Sequence, residues 1–165
     1  MSERLYRVNE RDEVLGSVSR AEAHAKGLLH RSGMVFVVNS RGRILINKRS
    51  SEKETFPAYY DSSASFHVTY GESYEESAKR ELLEEIRIDA PVQYLGKFIH
   101  NDLPEYQIVS VFLCNSDATP VLDPQEYSKH HFYSIPEVER LMKTAKITPW
   151  LRDGWKVFFN HVASH

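Results

Sequence analysis

Cysteine is almost missing from this chain: Cys114 is the single one in 165 residues. One thiol builds no disulfide framework, so stability must come from buried apolar surface, which a chain of this length can supply. Cys114 lies in the run Ile108-Val109-Ser110-Val111-Phe112-Leu113-Cys114 and reads as a buried strand thiol. Long apolar runs are missing too. None reaches the roughly 18 residues of a membrane span, and the opening MSERLYRVNERDE carries no signal-peptide core. The expectation is a soluble, cytoplasmic protein with no membrane partner. Glycine and proline number seven each and are scattered, which leaves no linker, low-complexity block or repeat. One domain over 1–165 is expected. Charge of one sign is also lacking: 21 basic against 23 acidic residues leave a net charge of -2. No global field draws a nucleic-acid polymer, so an anionic ligand must be held locally, by a cation or a few placed Lys and Arg.

What is present is a core. Hydrophobic residues make up 41% and aromatics 12% of the chain, the composition of a folded globule. Leu5–Val8 and Val14–Val18 flank turn chemistry and read as a hairpin. Ser19 caps a short helix, Arg20–Lys26, that Gly27 ends. Met34–Val38 is a continuous β-branched run and so a buried strand; Arg43–Arg49 follows as its partner across a turn. Gln93–Ile99, Gln107–Cys114 and Glu126–Tyr133 read as further strands. Pro136 opens a helix through Lys143, and Pro149–His161 is an amphipathic terminal helix. Strands interleaved with helices imply an α/β fold, a mixed sheet between helical layers.

The segment 73–86, SYEESAKRELLEEI, is the clearest helix. At roughly 100° per residue, Ala78, Leu82 and Ile86 line one face, and Leu83 widens it. Glu81, Glu84 and Glu85 gather on another face as mutual neighbours. Glu75 and Lys79 stand four apart, as do Glu76 and Arg80, while the three glutamates are left without an assigned helical partner. Spacing alone allows two readings. One is a solvated acidic face; the other is an oxygen site for a divalent cation, which would neutralise phosphates and acidify a bound water.

The residues around that helix resemble a known motif. Glu72, Arg80, Glu81, Leu82, Glu84, Glu85 and Ile88 fall on matching positions of the Nudix box, Gly-x5-Glu-x7-Arg-Glu-U-x-Glu-Glu-x-Gly-U, with U apolar. The chain from about Ser32 to Asn160 is similar to a Nudix domain, with the box over about 66–88, and residues 1–31 resemble the extension of the subgroup related to isopentenyl-diphosphate isomerases. The resemblance implies an α/β/α sandwich with a central mixed sheet and a loop-helix-loop catalytic segment. It implies that Glu81, Glu84 and Glu85 bind Mg²⁺ or Mn²⁺. Glu84, Glu85 or Glu126 would act as general base toward water, and Glu72 and Arg80 would fix the loop through an ion pair. Lys48, Arg49 and His67 would meet the substrate.

The chain departs from the pattern at its glycines. The leading glycine falls on Phe66, preceded by Ser65, so a side chain fills the space or redirects the loop. The closing glycine is Arg87, where a left-handed helix end costs a non-glycine about 1 kcal/mol. The isomerase cysteine falls on Ser65, a poorer acid–base group than a thiol. His24 and His30 resemble an isomerase metal pair at a spacing that differs by one. The resemblance thus implies a hydrolase of a small diphosphate compound, of nucleoside-diphosphate type or related. An isopentenyl-diphosphate isomerase-like enzyme and a non-catalytic nucleotide-binding module are the alternatives. Monomer and homodimer both stay open.

Overall fold

In β3 (His30–Val38), successive side chains serve two different cores. Met34 and Phe36 point to one side of the sheet, Val35 and Val37 to the other, and all four are fully buried. A strand covered on both faces needs apolar residues at every position. That is why its sequence is a continuous run rather than an alternation.

The computed structural model describes Glu3–Ser164. A hairpin, β1 (Arg4–Val8) and β2 (Val14–Ser19), leads into α1 (Arg20–Lys26). Next come β3, β4 (Ile44–Arg49), β5 (Tyr60–Asp61) and β6 (Ala64–His67). The long helix is α2 (Tyr74–Ile86). Then follow β7 (Gln93–Asp102), β8 (Glu105–Asn115), β9 (Tyr127–Tyr133), α3 (Ile135–Thr144) and α4 (Pro149–Ser164). The strands join one mixed sheet: β3 runs parallel to β8 and antiparallel to β6, and β4 carries β5 and β9. Helix α2 covers one face through Ala78, Leu82 and Ile86, packed on Val35, Phe112 and Cys114. Helices α3 and α4 cover the other through Val138, Leu151, Trp155 and Phe158. The expected α/β/α sandwich is the observed one. Cys114 is buried, and burial pushes its thiol up to about 11.

Most expected elements form, and both β3 and α4 run longer than expected. Three expectations need correction. Leu83 does not join the packed stripe but is exposed, while Ser77 and Glu85 are buried on α2 along with Ala78, Leu82 and Ile86. Residues 64–67 form a strand, although they read as loop. Glu126 precedes its strand: β9 starts at Tyr127.

The N-terminal hairpin is tied to the segment before α2. Tyr6 Oη accepts the Gly71 amide at 3.0 Å. Arg31 lies between the rings of Tyr6 and Tyr74, 4.7 and 5.1 Å from their centroids. Asp12, on the hairpin turn, receives Arg31, Lys97 and the Tyr74 hydroxyl. No helix among the described residues is long and apolar enough to cross a membrane.

Candidate active site

Helix α2 presents its carboxylates because both its ends are fixed. Ser73 accepts the Glu76 amide while Glu76 accepts the Ser73 amide, a reciprocal cap. Arg80 therefore does not pair with Glu76. It grips Glu72 with two bonds of 2.8 Å, and its remaining nitrogen reaches Glu81 at 2.8 Å and Glu84 at 3.2 Å. The Glu72–Arg80 ion pair holds the loop before α2 onto the helix, and the helical partner missing from the sequence reading is Arg80 itself.

Glu85 differs from its neighbours. It is only 5% exposed, accepts Tyr127 Oη at 2.8 Å, and meets no cation among the described residues. Burial pushes its carboxyl well above the usual range, and Glu81 and Glu126 push the same way. Tyr127 Oη also accepts the Ser65 amide at 3.2 Å, joining α2, β6 and β9 in one contact.

Glu81, Glu84, Glu85 and Glu126 line one cavity of about 310 Å³. His24, His67 and Glu105 line the same cavity. The ligand atoms of His24, His30 and His67 lie within 4.8 Å of one another, and His24 Nε2 is 3.6 Å from Glu105. His30 Nδ1 donates to the Leu28 carbonyl, which leaves Nε2 as the lone-pair nitrogen, buried and without a partner. Burial lowers His30 to about 4 and drives His67 down as well, so both rings are neutral, the form that binds metal. The carboxylate oxygens of α2 are less tightly gathered, because Arg80 draws Glu81 and Glu84 to itself.

The expected substrate contacts divide. His67 is at the cavity, within the histidine trio. Arg49 borders it, but its guanidinium is spent on the carbonyls of Thr55 and Phe56 and on buried Asp61. Lys48 does not line the cavity: adjacent strand residues face opposite sides, and its ammonium lies 5.7 Å from the Tyr60 ring centroid. The cations at the cavity are instead Arg20 and Lys53, the latter 2.7 Å from Glu126.

A NUDIX domain model matches residues 28–153. The chain belongs to the Nudix family. An isopentenyl-diphosphate delta-isomerase of Photorhabdus laumondii is 31% identical over 159 residues, 92% of this chain and 90% of that one. An uncharacterised Nudix hydrolase of Pseudomonas aeruginosa is 34% identical over 148 residues, 89% and 86% of the two chains. The crystal structure of DR0079 from Deinococcus radiodurans superposes with a TM-score of 0.80 at 28% identity, covering 94% and 99%.

In this Nudix chain the two box departures have different consequences. Phe66 turns its ring onto Gly33 of β3, where a Cβ would come within 2.6 Å of it. The ring joins the core under α2, is 8% exposed, and its backbone is not left-handed. The expected filled or redirected loop is thus a strand whose added ring is housed by a second glycine. Arg87 does take the left-handed conformation, at φ 59° and ψ 34°. Glu105, Gln107, Lys53, Arg20 and Tyr127 were not singled out from sequence. The legible signal was the alternation Glu105, Gln107, Val109 on one face of β8.

Proposed function

We propose that this protein is a divalent-metal-dependent hydrolase of a diphosphate linkage in a small molecule. The observation that carries the reading is Glu85, a buried carboxyl beside Glu81 and Glu126 with no cation among the described residues to offset it. Such a group costs folding free energy unless something recovers it. The oxygen donors of Glu81, Glu84, Glu85 and Glu126 fit a hard cation such as Mg²⁺ or Mn²⁺. Bound there, that ion supplies charge neutralisation for the diphosphate and a lowered pKa for water.

The chain's own groups would do the rest. Arg20 and Lys53, which line the same cavity, meet the phosphates. Glu84 or Glu126 takes the water proton as its oxygen bonds to phosphorus. The bridging P–O bond then breaks and its electrons leave with the departing phosphate. Arg80 and Glu72 hold the segment in register. Glu84→Gln should lower metal-dependent phosphate or monophosphate release at least 100-fold. Full activity in that variant rejects the assignment.

A second reading is an isopentenyl-diphosphate isomerase-like enzyme. It is favoured by the histidine trio with Glu105, a nitrogen-rich set suited to a transition metal, and by the isomerase relatives. Ser65 opposes it: its hydroxyl donates to Asp61 at 2.8 Å and offers no thiol for proton transfer. Incubation with isopentenyl diphosphate, with detection of the dimethylallyl isomer, separates the two readings.

A further inference from the structure

A second cavity, of about 370 Å³, shares no lining residue with the first. Ile46, Tyr60, Lys129, His130, His131 and Tyr133 line it, from the paired strands β4, β5 and β9. Register explains the grouping. Ile46 pairs with His131 and Lys48 with Lys129, while Tyr60 pairs with Lys48 from its other side. Alternate residues of a strand share a face, so Ile46 and Lys48 of β4 stand beside Lys129, His131 and Tyr133 of β9. Lys48 thus borders the cavity. Ile46 is 1% exposed and makes an apolar floor; Tyr60 and Tyr133 are half-buried and make its aromatic walls.

The two lysines set the chemistry. Like charges directly opposite on adjacent strands repel. Neither Lys48 nor Lys129 is in an ion pair among the described residues. The Lys48 ammonium lies 5.7 Å from the Tyr60 ring centroid, at the wall of the cavity. The carboxylate near Tyr133 and His131 is Glu137, and it is committed to the cap of α3, accepting the Ser134 amide at 2.9 Å. An anion between the two ammonium groups relieves their repulsion. Tyrosine rings over an apolar floor suit a flat ring. A phosphate monoester carries about -1.5 to -2 charges at neutral pH, which matches two lysines, whereas a carboxylate carries one.

We propose that this cavity is a second binding site, for a small phosphate monoester of a flat ring. It touches none of the α2 carboxylates, so it stands apart from the hydrolase reading. The test is calorimetry with phenyl phosphate, in EDTA so that no metal holds the probe in the first cavity. The native protein should bind it with a Kd below about 1 mM. Lys129→Gln, and separately Lys48→Gln, should each weaken that affinity at least fivefold, with thermal melting reporting the fold. Lys53→Gln, in the first cavity, should leave it within twofold. Cyclohexyl phosphate, which lacks a flat ring, and benzoate, which lacks the second charge, should each bind at least fivefold more weakly. Four results overturn the proposal: no saturation by about 10 mM, an affinity untouched in both cavity-lysine variants, an affinity lost in Lys53→Gln, or either control ligand binding as tightly as phenyl phosphate.

Discussion

The hydroxyl of Tyr127 donates to Glu85 at 2.8 Å while accepting the backbone amide of Ser65 at 3.2 Å. One buried oxygen thus sets where the innermost carboxylate of α2 stands relative to β6. Tyr127→Phe keeps the ring and removes that oxygen. The expected result is a loss of about 2 kcal/mol in stability and a roughly tenfold weaker affinity for Mn²⁺, since outer-shell partners of metal ligands have effects of that size. Chemical denaturation and calorimetry read the two quantities. Unchanged Mn²⁺ affinity would show that Glu85 is held without the tyrosine.

Acid sensitivity should be traceable to Asp12. Burial alone would raise its carboxyl, but hydrogen bonds from Lys97, Arg31 and Tyr74 outweigh burial and hold it below its ordinary 3.8. A depressed folded value means that the stabilisation is fully present above the unfolded value and is lost as pH falls through the folded one. Asp12→Asn should therefore cost about 3 kcal/mol near neutral pH. The gap to the native protein should close as pH drops below 3.8. Urea melts across pH measure this, and a gap constant down to pH 2 contradicts it.

Phe66 and Gly33 form a coupled pair. Gly33→Ala places a methyl 2.6 Å from the Phe66 ring and should cost about 1–3 kcal/mol. Phe66→Gly restores the family's residue, yet here it empties a packed volume and should cost about 3–5 kcal/mol. Combined, the two should cost less than their sum, because the ring that clashes is gone. Strict additivity would show that the ring does not depend on the glycine.

Arg87→Gly should stabilise. Arg87 ends α2 at φ 59°, a conformation in which glycine pays no Cβ penalty. The expected gain is about 1 kcal/mol, or roughly 2–4 °C in Tm. A lowered Tm would mean that the Arg87 side chain makes a contribution larger than the strain.

Much of this architecture was legible in the chain because its signals are local. The Ser19 and Gly27 ends of α1 and the double-sided run of β3 each follow from neighbouring residues. The segment 62–67 was illegible for a physical reason. Ser62, Ser63 and Ser65 break any apolar alternation, and the segment leading into β6 is held by distant partners: Ser63 bonds the Val37 amide and the Leu45 carbonyl, and Asn47 bonds the Ser63 carbonyl. The carboxylate wall could be found from helical spacing and the box. The histidine trio could not be assembled from spacing, since His24, His30 and His67 come from α1, β3 and β6 and meet only through sheet register. Lys48 and Arg49 are neighbours in the chain, but a strand sends neighbours to opposite faces, so of the two only Arg49 borders the cavity.

The most direct test of the account is a Mn²⁺ titration of the native protein beside Glu81→Gln and Glu85→Gln, followed by electron paramagnetic resonance and calorimetry. Histidine ligation is separated by the variants, which leave the trio intact. The account predicts a binding event in the native protein that either substitution weakens at least tenfold. Identical titrations for all three proteins would contradict it, because the carboxylates of α2 would then hold no cation.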